Sequence, residues 1–383
     1  MERADEIRSV RTGQAIAIAL AVVLCPFASG LRGAASDKAA QAGNWGALLQ
    51  KPYEQLVPPE NFHLPPLLQD ETGRKIGSRA EWEKQRERLR QYWLQVLGQP
   101  ELKRPDLAAK VVSTETLADH IRYLVQFVTE GEDTLRAYLL VPKNLKAGER
   151  RAAVVVFHPT TKDTLHEPVG LGQRAENAFA LFLTQRGYVT LSPECYIMKG
   201  EGPKRQTELL LQRIPGWTGM GKMTWDASRC VDFLRTRPEV DGKRIACWGH
   251  SLGAKQVLYA MAFEPRYVAG VFSEGGIGLR MSNWADVWYL SEKIRPLIPQ
   301  REHHQLLALC APRPFLILAG NSADGDLSWF FIKEARTVYA LYGATERIGL
   351  HNHRAGHRLP QEARDLAGRW LDYWLSPERS AAD

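Results

Sequence analysis

A serine flanked by glycines, Gly249-His250-Ser251-Leu252-Gly253, lies between two contrasting runs. Before it, Arg244-Ile245-Ala246-Cys247-Trp248 is short and mostly apolar, as a buried strand would be. After it, Ala254-Lys255-Gln256-Val257-Leu258-Tyr259-Ala260-Met261 has helix-forming composition. Strand, tight turn and helix are the context in which Gly-x-Ser-x-Gly forms a nucleophile elbow. Small residues at 249 and 253 let strand and helix approach, and the strained turn raises the Ser251 hydroxyl above the sheet.

A serine hydroxyl is a weak nucleophile at neutral pH. It needs a base within hydrogen-bond reach and a carboxylate to orient that base. The expected chain order is serine, acid, histidine. His357 stands between Gly356 and Pro360, in a tight loop ahead of the last helical segment, and is the expected base. His351 and His353 lie closer to the preceding strand and read as loop support. Asp324, in Gly320-Asn321-Ser322-Ala323-Asp324-Gly325-Asp326, is the first candidate acid. Glu274, in Ser273-Glu274-Gly275-Gly276, is the second and Asp326 the third. Each could equally cap a turn. An oxyanion hole needs two backbone N–H donors. Leu252 supplies one, at a helix start whose dipole favours negative charge. The other is expected from Thr160 in His158-Pro159-Thr160, because Pro159 has no N–H.

The elements that must hold these groups are visible as hydrophobic patterns. Val111–Leu117, Ile121–Thr129 and Leu135–Val141 read as strands, with a hairpin turn at Gly131-Glu132-Asp133. Ala152–Phe157 and Tyr188–Ser192 are continuous apolar runs, as strands buried on both faces would be. Tyr267–Phe272, Pro314–Ala319 and Arg347–Leu350 complete the strands, and Thr224–Arg235 and Gln361–Leu375 read as helices. An antiparallel opening followed by alternating strands and helices predicts an α/β fold with a doubly wound, mostly parallel sheet. Arg79–Leu97 has helical spacing, with Trp82, Leu89, Trp93 and Leu97 on one face and Gly98 as a stop. It reads as a cap helix in an N-terminal extension, residues 31–109, ahead of a catalytic domain over 110–378.

The chain has 383 residues and a formal net charge of +7, with the basic residues scattered. That distribution suits a mildly basic surface and acidic substrates, and gives no footprint for nucleic acid. Arg8 and Arg11 precede the apolar run Ala15–Leu24, and small residues follow. Residues 1–30 therefore read as a secretory signal peptide, which implies a secreted or periplasmic protein with no stable membrane span after cleavage. Cys25 would fit a lipoprotein signal, except that Leu24 stands where a small residue is needed. Cys195, Cys230, Cys247 and Cys310 are too few for a disulfide framework in a chain of this length. No cysteine or histidine spacing suggests a metal site. No cofactor is called for by the serine chemistry.

The segment from Lys110 to Leu375 resembles the α/β-hydrolases. Within them it is similar to the secreted acetyl-xylan-esterase-like and dienelactone-hydrolase-like branch. The phrase Arg235-Thr236-Arg237-Pro238-Glu239-Val240-Asp241-Gly242-Lys243-Arg244-Ile245 leading into Gly-His-Ser-Leu-Gly carries that likeness. A weaker similarity runs to glucuronoyl esterases. They place a Glu as Glu274 is placed and a lysine four residues after the serine, as Lys255 is. The resemblance implies that this lysine binds an acidic sugar; the residues alone give an exposed helix position. The sequence departs from those enzymes at Leu252, where they carry arginine, and at His250, where cysteine is usual. Trp284, in Asn283-Trp284-Ala285-Asp286-Val287-Trp288, could stack on a sugar ring or pack internally.

The expectation is thus a serine esterase acting on small-molecule or polysaccharide esters, acyl or uronate. The alternatives are a prolyl-oligopeptidase-like peptidase, disfavoured by the lack of propeller repeats, and a hydrolase-fold binding protein without catalysis.

Overall fold

The computed structural model describes residues 43–380 apart from 99 and 299. The expected signal peptide, residues 1–30, lies outside the described residues. Nine strands form one sheet: β1 (Lys110–Thr116), β2 (His120–Val128), β3 (Thr134–Pro142), β4 (Arg151–Phe157), β5 (Val189–Pro193), β6 (Val240–His250), β7 (Tyr267–Ser273), β8 (Phe315–Ala319) and β9 (Ile348–Asn352). Their spatial order is β1-β2-β3-β5-β4-β6-β7-β8-β9. The pairings β1·β2, β2·β3 and β3·β5 are antiparallel, and every later pairing is parallel. The described helices are α1 (Trp45–Leu49), α2 (Arg79–Leu97), α3 (Phe179–Gln185), α4 (Pro203–Arg213), α5 (Gly219–Arg235), α6 (Leu252–Phe263), α7 (His304–Cys310), α8 (Ser328–Leu341), α9 (Gln361–Trp374) and α10 (Pro377–Ser380).

Composition explains the layering. β1 is polar, exposed throughout and lies at the sheet edge, where unpaired backbone tolerates solvent. β4 and β8 are nearly all apolar and, like β5, buried on both faces. Alternate residues feed two cores. Val155, Phe157 and Cys247 face one hydrophobic cluster; Val154, Val156 and Trp248 face the other. Helix α2 is capped by Ser78, whose hydroxyl accepts from Glu81 N at 3.3 Å. It buries Trp82, Leu89, Trp93 and Leu97, the stripe expected from the sequence. Trp93 Nε1 donates to Gln305 on α7 at 2.9 Å, which fixes the helix on the sheet domain.

The chain leaves β4 toward β5 on one side and later returns to β6 on the other. The crevice at the carboxyl ends of β4 and β6 is therefore a topological switch point, where open α/β sheets bind ligands. Ser251 follows β6 at that point.

The elbow requires two glycines. A Cβ on Gly249 would stand 2.1 Å from Gly253 carbon, and a Cβ on Gly253 would stand 2.1 Å from Phe157 oxygen. Neither contact can relax, because the obstruction is backbone. Gly253→Ala is expected to cost at least about 2 kcal/mol and to lower Tm by several degrees. Gly77→Ala, whose new methyl meets nothing within 4 Å, is the control. Equal thermal unfolding of the two variants would contradict this packing.

Candidate active site

Ser251 joins β6 to α6 with φ 55° and ψ −114°. A non-glycine residue in this region costs of the order of 1–3 kcal/mol and persists only where its surroundings dictate it. Here Ser251 N donates to Ser273 O at 2.8 Å, across the strand pair in which His250 faces Ser273. One residue further on β7, Glu274 repeats the left-handed turn with φ 53°. Its N–H donates to Leu318 O at 3.0 Å. Ser251 and Glu274 thus emerge side by side from neighbouring strand ends.

The Glu274 side chain is fully buried. One oxygen accepts from Gly320 N. The other accepts from Ala323 N at 2.8 Å and stands 3.3 Å from His357 Nδ1. Ser322 Oγ lies 3.4 Å from the same imidazole nitrogen. His357 is half-exposed. It comes from the loop after β9, which is fastened to the loop after β8 by Gly356 N donating to Gly320 O at 2.7 Å. A Cβ on Gly320 would stand 1.9 Å from Gly356 oxygen, so only glycine allows that approach. His250, next to the serine, lies with its ring centroid 4.9 Å from that of His357. His250 Nδ1 is 2.9 Å from Ser273 Oγ, and burial pushes the pKa of His250 down to about 3, so it packs as a neutral ring.

The acid favoured from sequence has another task. Asp324 accepts from Gly276 N at 2.6 Å, Ile277 N at 2.8 Å and Ser328 Oγ at 2.9 Å. It braces the segment just beyond Glu274 and, among the described residues, contacts no imidazole. Burial raises its pKa to about 6. Asp326 accepts from Asn352 Nδ2 at 2.7 Å and Arg354 Nη2 at 2.9 Å, and so braces the histidine loop. The second candidate, Glu274, is the one that the geometry brings to His357.

Lys255 corrects the reading of an exposed helix position. It is 4% exposed. Its Nζ donates to Gly275 O at 2.5 Å and Ser282 Oγ at 2.7 Å and sits 4.6 Å from the centroid of the Trp284 ring. Burial lowers its pKa to about 8. The ammonium is spent on the acid-bearing loop. Trp284 is also corrected. It is 0% exposed, and its Nε1 donates to Gly276 O at 2.7 Å, so no ring face is left for a sugar. The loop 274–277 is therefore held by Asp324, Lys255 and Trp284 at once, and sequence spacing gave no sign of that convergence.

On the opposite side of the serine, the close approach of Gly253 to Phe157 and His158 places the loop after β4 against the start of α6. Among the described residues, neither Leu252 N–H nor Thr160 N–H finds a backbone acceptor. His158 is buried. Its Nδ1 is 2.7 Å from Pro159 O and its Nε2 accepts from Cys195 N at 3.0 Å, so it orders this loop. The four described cysteines are free and buried. Among the described residues no group of histidine, cysteine and carboxylate side chains could hold a metal ion.

Residues 135–276 match the dienelactone hydrolase family, a span that contains the elbow and ends two residues past Glu274. The sheet order with its serine elbow decides the fold. The chain has the α/β-hydrolase fold. Among solved structures, this α/β-hydrolase chain is similar to a glucuronoyl esterase from Solibacter usitatus: TM-score 0.68, 18% identity, 83% of this chain and 99% of that one covered. A candidate acetyl xylan esterase from Bacteroides fragilis aligns with TM-score 0.57 and 17% identity over 77% of this chain and 83% of that one. In sequence, the 4-O-methyl-glucuronoyl methylesterase 1 of Wolfiporia cocos is 28% identical over 176 residues, 36% of this chain and 42% of that protein. The chain thus matches less than half the length of this curated relative.

Exchanging the two buried acids separates their tasks. Glu274→Gln is expected to lower ester kcat/KM by about 10³-fold or more, because the amide no longer orients and stabilises the imidazole. Asp324→Asn is expected to lower it by no more than about tenfold, and to lower Tm, through loss of a backbone acceptor. A larger kinetic loss for Asp324→Asn would reverse the assignment.

Proposed function

We propose that this chain is a serine esterase whose triad is Ser251, His357 and Glu274. Glu274 would hold the Nδ1–H tautomer of His357, which leaves Nε2 to take the serine proton as Oγ attacks the ester carbonyl. The N–H groups of Leu252 and Thr160 would receive the oxyanion, supported by the N-terminal dipole of α6. His357 then gives its proton to the leaving alcohol and activates the water that releases the acyl group.

The observation that carries the reading is the fully buried Glu274 carboxylate, 3.3 Å from the His357 imidazole and one strand away from the strained Ser251. The substrate class we propose is a polysaccharide carrying carboxylic esters, with uronate esters ahead of acetyl esters. The acid after β7 and the named activity of the Wolfiporia cocos relative support that order. We further propose an exported enzyme, on the strength of the charged and apolar start of the chain. Among the described residues no helix is long and apolar enough to cross a membrane.

A fluorophosphonate probe tests the nucleophile. The wild type is expected to label and Ser251→Ala to stay unlabelled. Methyl glucuronate, p-nitrophenyl acetate, acetylated xylan and a peptide amide should then separate the reaction classes. Turnover of esters is expected, with a loss of about 10⁴-fold or more in Ser251→Ala. Folded wild-type protein that hydrolyses no ester would point instead to a binding function.

A further inference from the structure

Beside the oxyanion loop lies a charged unit that the proposed hydrolysis does not use. Glu167, from the short helical turn Thr164–Val169, has a fully buried side chain. Its carboxylate accepts from Thr161 Oγ1 at 2.6 Å and from Asn177 Nδ2 at 2.5 Å. Arg174 completes the set, with Nε at 3.2 Å and Nη2 at 3.0 Å from the same oxygen that Thr161 uses. The guanidinium is thus two hydrogen bonds from the residue that follows Thr160.

We propose that Arg174 is a specificity-determining residue that receives an ionised carboxylate of the substrate, so that the site favours esters of acidic saccharides in which a free carboxylate neighbours the scissile ester. The inference rests on the esterase reading and adds the charge of the substrate to it.

Four features support it. Arginine presents five N–H donors in a rigid planar fork. Nε and Nη2 are committed to Glu167, and Nη1 has no partner among the described residues. The side chain is 47% exposed while its anchor is fully buried, which fixes the fork yet leaves it reachable. Its position is set beside the loop after β4, because Glu167 joins it to Thr161, the neighbour of Thr160. The carboxylates nearby are occupied: Glu167 as above, and Asp163 in accepting from Gln173 N at 2.8 Å. A neutral ester offers the free edge only an uncharged carbonyl acceptor, whereas a carboxylate can take a stronger, charge-assisted hydrogen bond from it.

The test uses a uronic acid disaccharide esterified at one carboxyl and the same disaccharide esterified at both, with p-nitrophenyl acetate as a general ester. The wild type is expected to show about tenfold higher kcat/KM on the monoester than on the diester at low salt. That preference should shrink as ionic strength rises from about 0.02 M to about 0.5 M. Arg174→Gln is expected to remove the preference mainly through KM, and Arg174→Lys to restore part of it. No preference in the wild type at low salt overturns the inference and needs no variant. A preference that Arg174→Gln retains also overturns it. If p-nitrophenyl acetate is cleaved in a Ser251-dependent way in either case, the esterase reading stands; if no ester is cleaved, that reading fails first.

Discussion

One buried carboxylate organises this end of the molecule. Glu274 receives Gly320 N, Ala323 N and the His357 imidazole, and these come from the loops after β8 and β9. A charged oxygen pair inside a protein is tolerable only when its lone pairs are filled by donors of good geometry. Meeting that requirement draws three loops to one point. It also accounts for features that look unrelated in the chain: the left-handed turn at residue 274, the glycine at 320, and the buried Asp324, Lys255 and Trp284 that hold residues 275–277.

The same constraint separates rigid from adaptable parts. Ser251 and Glu274 both occupy strained backbone, and each is locked by hydrogen bonds to the neighbouring strand. Strain of this kind is retained where position matters more than stability. His357 is different: it is half-exposed, on a loop fastened by backbone bonds to Gly320 and Ala319 and by side-chain bonds to Asp326. In the proposed mechanism His357 carries protons between serine, water and leaving group, and such a loop suits that task better than the core.

Much of the fold was legible because it rests on local patterns. Continuous apolar runs gave β4, β5 and β8, and the tryptophan and leucine spacing gave α2. The elbow was legible because two glycines and a serine at fixed spacing have few other uses beside a strand and a helix. The acid was not. Glu274 directly follows β7 and Asp324 lies in the loop after β8, both are followed by glycine, and neither sequence context says which way the carboxylate turns. The choice depends on long-range contacts, such as Asp324 with Gly276 and Ile277 N–H. Lys255 and Trp284 were misread for a related reason. A lysine on a helix is usually exposed and a tryptophan near a site can stack on a sugar, but here each fills the other's environment. Another buried cluster was invisible in the same way: Lys222 Nζ is 2.6 Å from both Glu130 and Asp226 and pins the β2–β3 hairpin to α5.

The most direct check is a crystal structure of the protein after reaction with a phosphonate ester. Phosphorus is expected bonded to Oγ of residue 251, with the phosphoryl oxygen within hydrogen-bond distance of the N–H groups of residues 252 and 160. The imidazole of residue 357 should lie between that adduct and the carboxylate of residue 274. An adduct on another side chain, or an imidazole turned toward residue 324, would contradict this triad.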